Sequence, residues 1–437
     1  MGVDAEHRDV VSARLMTAAK DVAVIGGGPA GLFTAEIIAR AGHRVTVYER
    51  MPSPARKLLM AGRGGLNLTH SEPIENFLTR YGSEADKVRA VVASFPPSAL
   101  IDWANGLGAE TFTGSSGRVF PRAMKASPLL RAWLRRLGEL GVTIKTRHRW
   151  AGFTPEGGHA FETPDGAIAV KPDATLFALG GASWPKLGSD AAWAETFASA
   201  GIPVTPLAAA NCGVLIDWSE IFRSRFEGSA LKRIALSYAG DTARGEAIIT
   251  RTGLEGGAIY ALVPHLRESL RAQGSVSLAA LGGRLAERES PSAIITVDLK
   301  PDIEEAALAD RLAKPRAKET LTNFIRKAAH LDPPQLALIR EAGASLPEDP
   351  SALAARIKSV PVTVTGLASI ERAISTAGGM DWTALTDDLM IANRPGLFAA
   401  GEMLDWEAPT GGYLLQATFA TATRAANGML RWLASAT

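Results

Sequence analysis

Runs of apolar residues in this chain change period several times, and each change marks an element. Val22–Ile25 is continuously apolar between Asp21 and Gly26, the pattern of a short parallel strand buried on both faces. Leu32–Arg40 has the spacing of a helix, and His43–Tyr48 returns to a strand that ends at Glu49. Pro128–Leu140 predicts a second helix. It leads into a strand-rich stretch, Val142–Val170, broken by the turn signals Pro155-Glu-Gly-Gly and Pro164-Asp-Gly. Two further apolar strands each end in glycine: Ala174–Leu179 before Gly180-Gly181, and Pro395–Ala400 before Gly401-Glu402. Thr410-Gly411-Gly412-Tyr413 then opens a helix rich in small residues.

From about Asp190 the pattern differs. Strand-like pieces (Gly213–Ile216, Ile234–Tyr238, Glu246–Thr250, Ile294–Asp298) precede helical ones (Glu304–Ala313, Lys318–Ala329). This predicts an α+β domain inserted into an α/β, Rossmann-like one. The expected divisions are 1–19, a disordered extension; 20–190, the first part of the nucleotide-binding domain; 191–360, the inserted substrate domain; and 361–437, the C-terminal part of the first. Val362–Thr365 is read as the strand that returns to the first domain. Internal repeats and low-complexity tracts are absent from the sequence.

Composition narrows the function classes. The chain has 437 residues, 46% hydrophobic and 21% charged, with a net charge of +2. That balance gives no electrostatic reason to expect nucleic acid or a membrane surface. Cys212 is the sole cysteine, so an intramolecular disulfide, a thiol relay within the chain and a Cys-based metal cluster are excluded. A reducing compartment, the cytoplasm, is the expected location. Met1–Lys20 lacks the apolar run of a signal peptide.

The first chemistry lies at Gly26, Gly28 and Gly31, which complete G-x-G-x-x-G between strand and helix. The first glycine makes the turn, the second leaves room for a pyrophosphate, and the third lets helix and strand approach. The helix N-terminus at Pro29-Ala30 offers free N–H groups to the phosphates. Glu49 follows Gly28 by 21 residues, near the ~20 expected of an acid that binds ribose hydroxyls. The motif implies an ADP moiety and leaves NAD and FAD both open.

The C-terminal segment separates them by resemblance. Gly401-Glu402, followed by the helix that Gly411-Gly412 opens, is similar to flavoproteins of the two-dinucleotide-binding-domain type. In those the acid meets the ribityl chain and the helix N-terminus faces the flavin N1/O2 edge, where reduced flavin carries charge. Lys57-Leu-Leu-Met-Ala-Gly-Arg-Gly-Gly-Leu-Asn67-Leu-Thr resembles the "KKLLxSGxGRCN(V/L)T" segment of the HI0933-like flavoproteins, also known as the BaiN/YhiN or aminoacetone-oxidase-like type. Similar segments follow in order at Gly180–Ser189, Gly245–Ile259, Val360–Gly366, Thr376–Met380 and Gly401–Gln416. There are departures. Gly65-Leu66 replaces a usual Arg-Cys, Glu255-Gly256-Gly257 stands where Ser-Gly-Pro is common, and Trp406-Glu407-Ala408 replaces a stretch near the flavin.

The resemblance implies FAD and a set of contacts. Gly26, Gly28, Pro29, Ala30 and Gly31 would hold the pyrophosphate, and Glu49 with Arg50 the adenosine ribose. Lys57, Arg63, Gly64 and Asn67 would lie near the phosphates or flavin, and Gly180 on the internal strand. Gly401 and Glu402 would meet the ribityl chain, and Gly411, Gly412 and Tyr413 the flavin edge. Trp150 falls where the family presents backbone to adenine; a core aromatic is the equal alternative. Candidates at the flavin face are Arg63, Asn67, Tyr413 and Glu407. His70 is a candidate proton carrier, although a lone His after a turn is more often a surface residue. His265 and His330 read as structural, and Arg118 and Arg251 are candidates for an acidic substrate group, although solvated arginines are commoner.

A second strand–GxGxxG–helix unit is missing from the sequence, so any NAD(P)H would visit the flavin face transiently. Three activities stay open. They are oxidation of a small amine, amino-ketone or hydroxy compound; NAD(P)H-fed reduction of an activated C=C bond; and modification of RNA. The missing nicotinamide domain favours the first, and the near-neutral charge disfavours the third. The expected partner is a small-molecule substrate, and the oligomeric state is left open.

Overall fold

The computed structural model describes residues 18–81, 86–279, 291–316, 318–343 and 345–435. Most of the extension expected over 1–19 lies outside them.

Five parallel strands form the first sheet, in the order Leu397–Ala399, Ala174–Phe177, Asp21–Ile25, Arg44–Glu49, Thr143–Thr146. The central strand is apolar because neighbours and helices cover it on every side; Val22 through Ile25 are at most 2% exposed. The fingerprint helix, Pro29–Arg40, takes proline in its first turn, where the missing N–H costs nothing. Against it packs the C-terminal helix, Tyr413–Ser435, whose buried Ala417, Ala420, Ala422, Ala425 and Ala426 allow close approach. Phe33 meets Phe419 at 4.8 Å between centroids. Glu36 is buried in this layer and accepts from the indoles of Trp103 and Trp133 and from Arg136, so the acid is fully partnered.

The strand-rich stretch forms a separate antiparallel meander, Arg149–Phe153, His159–Thr163 and Gly166–Val170. A second small sheet joins Thr69–His70, Arg118–Pro121 and Thr111–Thr113.

The other body is a seven-stranded antiparallel sheet covered by helices. Its order is Val360–Val364, Ala293–Asp298, Ala230–Tyr238, Asp241–Thr250, Gly253–Glu255, Val214–Leu215, Gly366–Leu367. Each body has its own apolar core. Two details correct the sequence reading. Val362–Val364 belongs to a strand at the edge of this second sheet, with Val360, Val362 and Val364 buried in the second core. Alternation showed a strand there but carried no information about which sheet it joins. Trp193, Phe197 and Ile202 belong to the first core instead. The chain therefore crosses between bodies on a two-stranded antiparallel ribbon, Val204–Ala210 with Ser375–Met380. No helix among the described residues is long and apolar enough to cross a membrane.

Candidate cofactor site and active site

The glycine loop has the shape its spacing implies. Gly26 has φ +110°, and a side chain there would come 2.2 Å from the Ala178 carbonyl oxygen. A Cβ at Gly31 would lie 1.9 Å from the Gly26 carbonyl oxygen. At Gly28 the same atom meets nothing within 4 Å, so open space faces the helix N-terminus where a pyrophosphate would rest. Gly401 is drawn into the same place: its φ is +85°, and a Cβ would come 2.9 Å from that of Ala30.

Glu49 ends the second strand as expected. Its two oxygens accept from the backbone N–H groups of Gly27 at 2.8 Å and Met51 at 2.7 Å. Burial holds its carboxyl above the usual carboxylate range, against the pull of those amides and of Arg50 and Arg56. Arg50 makes a 2.6 Å ion pair with Asp190. Burial raises the Asp190 carboxyl, but the Arg50 bond and backbone donors outweigh it and leave it lowered. The Trp150 ring packs among Phe153, Phe177 and Phe197 with its indole nitrogen unpartnered. The backbone beside Glu49 belongs instead to Arg147 and His148, whose N–H groups donate to Met51 and Glu49.

A polar cluster gathers four distant segments. Lys57 Nζ donates to Glu402 Oε2 and to Ser183 Oγ, both at 2.6 Å. The other Glu402 oxygen accepts from the Thr376 backbone N–H at 3.1 Å, and Thr376 Oγ1 accepts from the Ala182 N–H at 2.9 Å. A side chain at Gly181 would fall 2.4 Å from Thr376 Oγ1. Gly180, at φ +72°, accepts at its carbonyl from Trp193 Nε1. Lys57 and Glu402, both expected at the cofactor, are brought together here. Ser183 and Thr376 lay inside the family-like segments but were not singled out.

Gly411 and Gly412 take φ +135° and +101°, and a Cβ at Gly412 would strike the Thr69 backbone at 2.5 Å. The Tyr413 ring lies against this turn: a Cβ at Gly411 would come 2.8 Å from it. Its hydroxyl donates to Glu72 at 2.5 Å, and Arg80 forks onto the same carboxylate. Burial first, then the bond to Glu72, raises the phenol well above its ordinary value. Tyr413 is thereby an anchor for the helix start and holds its proton tightly. His70 stacks on its ring at 5.6 Å. Since His70 Nδ1 accepts from the Glu72 N–H, Nε2 carries the proton to Ser116, and both nitrogens are engaged.

Asn67 differs from these. Its Oδ1 is buried with no hydrogen-bond partner, and a buried acceptor left unpaired costs about 1–3 kcal/mol. It is a place prepared for a donor on a bound group. Arg63 and Gly64 are exposed on the adjoining loop. Glu407 is taken by Arg267, at 2.5 and 3.1 Å, in an ion pair that ties the helix Val263–Ala279 to the cofactor body. Beside the pair is a cavity of about 170 Å³ lined by Thr205, Gly378, Asp405 and Arg271. Cys212 is buried nearby, and burial pushes its thiol up to about 11, so it is no nucleophile at neutral pH. His265 pairs with exposed Asp241, and Arg251 is exposed without a partner among the described residues.

Open space at the pyrophosphate loop, a buried acid at the ribose position and an orphaned amide oxygen all fit a bound dinucleotide. The comparisons agree. A family model, the HI0933-like protein Rossmann domain, matches residues 20–428. The ribosomal RNA dihydrouridine synthase of Escherichia coli (strain K12) is 22% identical over 425 residues, covering 94% of this chain and 98% of its own. The 3-dehydro-bile acid delta(4,6)-reductase of Clostridium scindens is 25% identical over 418 residues, covering 92% of this chain and 96% of its own. A flavocytochrome c3 fumarate reductase, solved in an open conformation, shares the fold with a TM-score of 0.51 at 15% identity. That match covers 95% of this chain and 79% of the other. The chain belongs to the HI0933-like family and is an FAD-dependent oxidoreductase.

Proposed function

We propose that this protein saturates a C=C bond conjugated to a carbonyl in a small organic substrate, drawing electrons from NAD(P)H. One observation carries the reading. Two relatives aligned along nearly the whole chain have names that describe this bond chemistry, one as a delta(4,6)-reductase and one as a maker of dihydrouridine. Uracil's 5,6 double bond is itself conjugated to a carbonyl, so the two names share a reaction type. Oxidation of a small amine, which the sequence favoured, finds no specific support in the site.

Bound FAD supplies the two-electron chemistry. The chain supplies position and charge. The backbone N–H groups after Gly411-Gly412 offer positive potential to a reduced cofactor. Lys57, Ser183, Thr376 and Glu402 form a rigid polar floor whose members already satisfy one another. Overall, two electrons and one proton leave the nicotinamide ring, a second proton comes from solvent, and two C–H bonds replace the π bond.

The test is anaerobic. NADPH or NADH is expected to bleach the flavin absorbance, and an α,β-unsaturated ketone is expected to restore it faster than dissolved oxygen does. Bleaching by an amine, with hydrogen peroxide on admitting air, would instead establish the oxidase. Restoration only by uridine-containing RNA would keep the chemistry and overturn the small substrate.

A further inference from the structure

The sheet of Thr69–His70, Arg118–Pro121 and Thr111–Thr113 has one solvated face. Its register pairs His70 with Arg118 and Phe112 with Phe120, so all four share that face. Val119 and Pro121 point the other way and are buried. Phe112 is 41% exposed and lies against Phe120 at 6.0 Å between centroids. Among the described residues six large apolar side chains are 37% exposed or more, and Phe112 and Met124, both here, are two of them. Apolar side chains left open beside one another on one face offer a surface on which a ligand can rest.

The face borders the cofactor site on two sides. The Phe120 ring comes 3.6 Å from the Cβ position of Gly65, and Leu66 donates its N–H to Met124. Both belong to the loop that carries Arg63 and the orphaned Asn67. On the other side His70 stacks on Tyr413, directly after Gly411-Gly412. The charge is one-sided. Arg63, Arg118 and Lys125 make no side-chain bond among the described residues, whereas the adjoining acids are taken, Glu110 by Arg122 and Glu72 by Arg80.

We propose that this face docks the reduced nicotinamide dinucleotide, an aromatic ring stacking on Phe112 and Phe120 and its phosphates meeting Arg118 and Arg63. The inference rests on the proposed reaction, which needs such a donor in a chain whose sequence has no second dinucleotide fold. A net charge of +2 offers a few local cations to a compact dinucleotide but not the extended basic surface of a long nucleic acid strand. Flat rings on aromatics and phosphates on free guanidinium groups suit this ligand.

The experiment uses FAD-loaded protein and NADPH in anaerobic stopped flow, with Phe112→Ala, Arg118→Ala and Phe112→Ala/Arg118→Ala. Each single variant is expected to raise the half-saturating NADPH concentration ~10-fold, with bleaching at saturation retained. Flavin content and Tm, read in parallel, check that each variant is folded. Variants that saturate at the same NADPH concentration as the unaltered protein overturn the docking face while leaving the reaction in place. Failure of NADPH and NADH to bleach the unaltered protein overturns both. Variants that keep NADPH saturation but lose retention of a single-stranded RNA 20-mer overturn the proposal in favour of a nucleic acid surface.

Discussion

Gly28 and Gly31 have the same side chain and opposite reasons for it. A Cβ at Gly31 would collide with the Gly26 carbonyl oxygen at 1.9 Å, whereas at Gly28 it would meet no protein atom. The Gly28 backbone, at φ −80°, suits any residue. Gly31→Ala is therefore expected to lower the Tm of the cofactor-free protein, by a cost of about 1–3 kcal/mol. Gly28→Ala should leave that Tm within about 0.5 kcal/mol of unchanged while greatly reducing retained flavin, read as absorbance near 450 nm. If Gly28→Ala retains full flavin, the loop is not the phosphate cradle. Asn67 makes a related point: its unpaired oxygen is recorded only by the packing around it.

The meander owes part of its stability to a neutral histidine. His159 is 1% exposed, bonds Thr175 through Nε2 at 2.8 Å, and leaves Nδ1 unpartnered against Phe153 and Phe177. Burial lowers its pKa from 6.5 to about 4. The unfolded chain binds a proton below pH 6.5 that the folded chain refuses until about 4. The folded state thus has its full advantage above pH 6.5 and loses about 3 kcal/mol as the pH falls to 4. His159→Gln should flatten this part of the Tm–pH curve between 4 and 6.5; parallel curves for the two proteins would contradict it. The hairpin Thr111–Pro121 shows the same dependence on packing, since only its partner Thr69–His70 and the core decide which face stays wet.

At the scale of the whole molecule, the two bodies are joined by the ribbon of Val204–Ala210 with Ser375–Met380 and by the Arg267–Glu407 pair. Arg267 is 9% exposed, so removing Glu407 leaves a buried cation with only the longer 3.4 Å contacts to Glu268 and the Ala209 carbonyl. Glu407→Ala is expected to cost about 3 kcal/mol and to speed proteolysis of the ribbon, while Arg267→Met/Glu407→Leu recovers most of that stability. Equal Tm values for Glu407→Ala and the unaltered protein would show that the pair does not hold the seam. The sequence by itself determined the features made by neighbouring residues. Three glycines within six positions gave the strand–turn–helix shape of the loop. Periodicity located the strands of the first sheet and five helices, Pro29–Arg40, Ala126–Glu139, Glu305–Leu312, Leu321–Ala328 and Tyr413–Ser435. It did not locate the short helices between Arg56 and Asn105 or those at Val263–Ala279, Pro333–Glu341 and Pro350–Lys358. Tertiary structure alone decided which sheet Val360–Val364 joins, and that Tyr413 spends its hydroxyl on Glu72. It also brought Lys57 to Ser183 and Glu402, partners 126 and 345 positions away. Local spacing is written into a chain by backbone geometry, but contacts across hundreds of residues depend on how two cores pack, and no short pattern encodes that.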